Sequence, residues 1–72
     1  TQQIQYLGES ISRFLHTQKP LDRRIFVCRY FYCDAISEMA EHFGISESRV
    51  KSILFRMRSK LKQHLHNECF SV

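Results

Sequence analysis

Six cations stand between positions 49 and 62: Arg49, Lys51, Arg56, Arg58, Lys60 and Lys62, more than half of the eleven Lys and Arg residues in the chain. No acidic side chain interrupts Ser48 to Asn67, while Asp34, Glu38, Glu41 and Glu47 crowd the stretch just before. With a net charge of +4 when histidine is neutral, this lopsided distribution is the footprint of a surface that meets a polyanion. Lys and Arg hydrogen-bond phosphate oxygens and the guanine edge, a carboxylate such as Glu47 accepts from cytosine, and an aromatic such as Phe55 lies against a thymine methyl. Each good base contact of this kind is worth about 1–3 kcal/mol of discrimination. Catalytic chemistry is not encoded. There is no nucleophile with a positioned base, no Gly-rich phosphate loop and no paired carboxylates, so neither an enzyme nor a small-molecule substrate is expected. No cofactor is expected either. His64, His66 and Cys69 make a poor zinc set, because residues two apart on a helix point to different faces and a fourth ligand is missing.

The cations need elements to position them. At 72 residues with one Pro and two Gly, the chain fits one small domain with few turns, and the fold class expected is all-α. Periodicity predicts four helices. Ile4, Leu7, Ile11, Phe14 and Leu15 share one face of a helix over 3–16. Pro20 suits the first residue of a second helix over 20–32, whose broad apolar face runs through Leu21, Ile25, Val27, Cys28, Phe31 and Tyr32. Asp34 is the expected N-cap of a third helix over 35–43, with Ile36, Met39, Ala40 and Phe43 as its buried stripe. The fourth and longest, over 47–66, repeats Val50, Leu54, Met57, Leu61 and Leu65 on one face.

The last two helices obey helix-turn-helix grammar. Ala40 lets them approach, Gly44 takes the left-handed conformation of the sharp turn, Ile45 folds back on the core, Ser46 caps the fourth helix and Val50 locks it to the third. With Val50 and Leu54 inward, Ser48, Ser52, Phe55 and Ser59 point nearly opposite, flanked by Glu47, Lys51 and Arg56. The N–H groups from Ser46 to Arg49 are expected to form a phosphate site at the helix start. The candidate DNA contacts read from this facing are therefore Ser46, Glu47, Ser48, Arg49, Lys51, Ser52, Phe55 and Arg56.

The run RRIFVCRYFYCDAISEMAEHFGISESRVKSILFRMRSKL resembles the C-terminal DNA-binding region, region four, of the extracytoplasmic-function sigma factors. It shares an Arg-rich second helix ending in an aromatic pair, then I-x-E-[IM]-A, G-[IM]-S-E and V-K-S-x-L-x-R-x-R. The likeness implies that Glu38 and Ala40 lie on the positioning helix, that Ser46 caps the recognition helix, and that Lys51, Ser52, Arg56 and Arg58 meet DNA. It departs from the family pattern at Ile53 and Phe55, where many members carry a basic or polar residue, and at Cys33 and Ala35, which replace a common Gly and Ser. The resemblance implies work on double-stranded promoter DNA at the minus-thirty-five element, bound to core RNA polymerase through the flap of the β subunit, with an anti-sigma factor competing. Two other readings use the same features: the effector domain of a response regulator, and a helical protein-interaction module whose basic face docks on an acidic partner.

Three cysteines, Cys28, Cys33 and Cys69, form no disulfide framework and fit a reducing cytoplasm; Cys28 reads as a small core residue and Cys33 as a turn residue. No apolar run approaches the roughly 20 residues of a membrane span, and no export signal opens the chain. The start at Thr1 reads as a piece of a longer protein whose upstream part is missing, and Asn67 to Val72 reads as a frayed tail.

Overall fold

The computed structural model describes the backbone of residues 2–68 and the side chains from Tyr6 to Glu68. Four helices follow one another, α1 (Gln2–His16), α2 (Pro20–Tyr30), α3 (Ile36–Phe43) and α4 (Glu47–Asn67), with no strand among the described residues. In α1 the expected face is inward, with Phe14 and Leu15 buried and Ile11 packed beside them; the Ile4 side chain lies outside the described residues. The helix ends as Thr17 N–H and Gln18 N–H reach the carbonyls of Phe14 and Leu15 at 3.0 and 3.1 Å. Pro20 opens α2 in its first turn, where a missing N–H costs no hydrogen bond.

The end of α2 corrects the sequence reading. The helix stops at Tyr30 rather than at 32, and Phe31 and Tyr32, expected on its apolar face, are 64% and 71% exposed. The N–H groups of Phe31 and Tyr32 both turn back to the Val27 carbonyl, at 2.9 and 3.4 Å. Cys33 then adopts φ 57°, a left-handed step that swings the chain so that Asp34 N–H meets the Cys28 carbonyl at 3.0 Å. The Arg29 guanidinium holds the same loop by donating to the Asp34 carbonyl at 3.0 Å.

The expected Asp34 cap is also corrected. The N-cap of α3 is Ala35, with no side-chain hydrogen bond, and the helix starts at Ile36. Asp34 stands one residue before the cap position and its backbone serves the loop instead, its N–H meeting the Cys28 carbonyl and its carbonyl accepting from Arg29. Backbone alone begins α3, through Met39 N–H to the Ala35 carbonyl at 3.0 Å.

The 21 residues of α4 span about 31 Å, and this helix packs on all three others. Val50, Leu54, Met57 and Leu65 are buried as their spacing requires, and Leu61 packs against them. Ile53 joins them at 1% exposure. Its apolar character, at a position where a basic or polar residue was the comparison, is thus explained by the core. Ile25, Met39, Val50, Ile53 and Met57 are the largest fully buried side chains, and each such burial contributes about 1.5–3 kcal/mol relative to exposure. The tail expected to fray from Asn67 is in part ordered, since Asn67 closes α4 and Glu68 caps it, its N–H meeting the His64 and Leu65 carbonyls at 3.1 and 3.2 Å. The remainder, 69–72, lies outside the described residues. Among those described, no helix is long and apolar enough to cross a membrane.

Candidate nucleic-acid interface

The interface is set by the turn between α3 and α4. Gly44 takes φ 68°, a conformation that costs L side chains energy and glycine none. Its N–H turns back to the carbonyls of Ala40 and Glu41, and Ile45 N–H closes on the Ala40 carbonyl at 3.0 Å. Those bonds satisfy the last carbonyls of α3 and aim the chain into α4. Ser46 caps α4 as expected, its hydroxyl accepting Arg49 N–H at 3.1 Å. That bond corrects one detail of the phosphate site: Arg49 N–H is already engaged by the Ser46 hydroxyl, so the donors left for an anion at this helix start are those of Ser46, Glu47 and Ser48.

With Val50, Ile53, Leu54 and Met57 buried against α2 and α3, all nine candidate contacts have exposed side chains. They do not form one group. Ser48, Lys51, Ser52, Phe55, Arg56 and Arg58 line a shallow, open concavity of ≈ 660 Å³ along the outer face of α4. Ser46, Glu47 and Arg49 lie outside it, in the cap and first turn. Phe55 is 63% exposed, an aromatic held in water beside three cations. That placement suits contact with an apolar base edge or with an aliphatic side chain of a partner.

Arg58 stands apart from the other cations. Its Nη1 donates to the Tyr30 hydroxyl at 2.8 Å, so α2 holds the guanidinium at the edge of the concavity. The same arginine borders a second, apolar groove of ≈ 410 Å³, floored by Ile11, Phe26, Leu61 and Leu65 and flanked by Phe31 and Lys62. Sequence reasoning missed Tyr30; 28 positions separate it from Arg58, and no local periodicity joins the two.

At the opposite end of α4 a polar clasp ties it to α1. The buried Ser10 hydroxyl donates to Glu68 Oε1 at 2.5 Å, Arg13 donates to the same oxygen at 2.6 Å, and His64 Nε2 lies 3.0 Å from the Ser10 carbonyl. The Ser10 and Arg13 hydrogen bonds hold the Glu68 carboxyl below its ordinary value. His64 also packs on Phe14, ring centroids 5.5 Å apart. No group of three or more potential ligands is placed to hold a metal among the described residues, and Cys69 lies outside them. Burial pushes the Cys28 thiol up, with the charge and hydrogen bond of Asp34 adding to it, which lowers its thiolate fraction and its reactivity.

Residues 15–63 match the family described as Sigma-70, region 4. This chain belongs to that family. Region 4 is a DNA-binding helix-turn-helix of sigma factors that acts in transcription initiation with RNA polymerase, and it is not an enzyme family. No curated protein and no solved structure matches the chain. The region 4 match takes in the whole turn and the whole concavity, and stops short of the clasp. Ser10, Arg13, His64 and Glu68 all fall beyond its two limits.

Proposed function

We propose that this region 4 domain belongs to a sigma factor of the extracytoplasmic-function type and reads the minus-thirty-five promoter element with the outward face of α4. The observation that supports this reading is the concavity itself. Lys51, Arg56 and Arg58 share it with Ser48, Ser52 and Phe55, and no carboxylate interrupts the helix from Ser48 to Asn67. Short serines let a DNA backbone approach, cations on either flank meet phosphates, and Phe55 reaches a base edge. The apolar groove beside it is the seat proposed for the β-subunit flap, and an anti-sigma factor competes there. A single recognition helix makes few contacts, and non-specific DNA affinities run about 10⁻⁴ to 10⁻⁶ M at physiological salt. Tethering to polymerase raises the local concentration and makes up the difference.

The test is selection from a random pool of short duplexes at two salt concentrations, followed by sequencing of the retained fraction. A short asymmetric motif bound by a monomer with salt-dependent affinity is the expected result. A palindrome bound by a dimer would favour a response-regulator mode, and no retention at low salt would favour a protein-docking module. Lys51→Ala is expected to weaken retention and leave the melting temperature in place, because Lys51 is exposed and carries no packing.

A further inference from the structure

Tyr30 is fixed from below and offered from above. Its ring lies against Phe26, centroids 4.7 Å apart, and Phe26 is only 5% exposed, so the phenol has a buried base to stand on. Its hydroxyl reaches across to α4 and accepts from Arg58 Nη1 at 2.8 Å. Arginine donates only, so the direction of that bond is settled. Arg58 has an exposed side chain, and it belongs to both the outward concavity and the apolar groove. A guanidinium in that position is a flexible four-torsion cation unless something holds it. Ordering a rotamer-rich side chain on binding lowers affinity by about two- to twelve-fold.

We infer that Tyr30 is a positioning residue for DNA binding: it holds the Arg58 guanidinium, before DNA arrives, at the flank of the recognition helix where a phosphate passes. The inference rests on the reading of α4 as the DNA-facing helix. Tyr30 uses one donor of Arg58, and the guanidinium carries five, so the remaining N–H groups stay free for phosphate oxygens. The contact is to backbone, not to a base, because Arg58 lies toward the α2 edge of the concavity, on the side of the helix nearest Tyr30. The tyrosine therefore adds affinity without changing the preferred sequence.

The test is a double-mutant cycle on the 72-residue chain, read by titration of a fluorescently labelled duplex carrying the motif recovered from the pool, or of a mixed-sequence duplex at low salt. Tyr30→Phe keeps the tilted ring contact with Phe26 and removes only the hydroxyl. It is expected to weaken binding about three-fold, with an unchanged melting temperature and an unchanged salt slope, because Arg58 still meets its phosphate after being ordered. Arg58→Ala is expected to weaken binding further and to flatten the slope of log K against log salt by about 0.9, one phosphate. In the Arg58→Ala background, Tyr30→Phe is expected to do nothing more. A wild-type affinity for Tyr30→Phe overturns the inference, and so does a three-fold loss that persists without Arg58. Lys51→Ala serves as the control. If it too binds as wild type, the DNA-facing reading of α4 falls and takes this one with it; if it weakens binding while Tyr30→Phe does not, only the role of Tyr30 is lost.

Discussion

Two turns join helices on either side of α3, and they are built by opposite means. At Gly44–Ser46 each residue suits its own conformation: glycine at φ 68° and a serine hydroxyl accepting the Arg49 N–H in the first turn of α4. At Phe31–Ala35 nothing local fits as well. Cys33 holds φ 57°, Ala35 caps α3 with no side-chain bond, and two aromatics stand in water. That turn is held by bonds from elsewhere, the Arg29 guanidinium on the Asp34 carbonyl and Asp34 N–H on the Cys28 carbonyl. The turn that aims the recognition helix is thus encoded where it stands, while the turn before it borrows its geometry from α2. Precision is concentrated where a small error in angle would misdirect every proposed DNA contact.

Four substitutions or conditions test that contrast. The largest effect is expected at the packing beneath the encoded turn: Val50→Ala removes two fully buried methyl groups' worth of packing and should lower stability by about 2 kcal/mol in denaturant unfolding. Unchanged stability would mean that α4 is turned differently from the facing described. Next is Gly44→Ala. A Cβ there meets nothing within 4 Å, so the cost is backbone strain alone, about 1 kcal/mol. A neutral result would remove the claim that this turn depends on its glycine. At the borrowed turn the sign reverses. Cys33→Gly relieves the left-handed strain but adds unfolded-chain entropy, leaving a net gain of about 0.5 kcal/mol. A loss on thermal melting would show that the Cys33 side chain contributes packing.

The smallest effect concerns the clasp, which neither turn supports. Because the folded Glu68 carboxyl lies below its ordinary value of 4.5, its contribution is present above that value and is lost as pH falls through the depressed one. Melting curves taken from about pH 6 down to about pH 3 should show wild type and Glu68→Gln separated at the upper end and converging at the lower. A constant gap across the range would assign the effect to something other than this carboxylate.

Much of this architecture was legible in the residues. The steps of three and four from Val50 to Leu65, the glycine after Phe43 and the serine at 46 act within one or two helical turns, and the folded chain uses them as read. What escaped depends on contacts between distant segments. Asp34 has the right chemistry for a cap, yet the left-handed step at Cys33 and the bond of its own N–H to the Cys28 carbonyl leave it one residue short of the cap position, which falls to Ala35. Phe31 and Tyr32 are apolar, and hydrophobicity alone did not reveal that α2 stops before them. Ile53 lies one position from the Val50–Leu54 stripe and is buried because α4 has neighbours on more than one side. The nine candidate contacts were legible as an outward face, and Ser46, Glu47 and Arg49 as the cap and first turn, but not that these three would lie outside the concavity lined by the other six. Nor did anything local announce that Tyr30 would hold Arg58.

The dependence of every other helix on α4 also has a consequence for how the chain acquires its shape. Synthesis runs from the N-terminus, and α1, α2 and α3 all emerge before the helix on which they pack. Helices of 15, 11 and 8 residues are marginal in water without a partner. Phe14, Ile25, Phe26 and Met39 have no complete pocket until Ile53, Met57 and Leu65 have been added. The domain therefore matures in a single late collapse rather than helix by helix. A nascent chain arrested within α4 would be open to protease, and one extended past Leu65 would resist it.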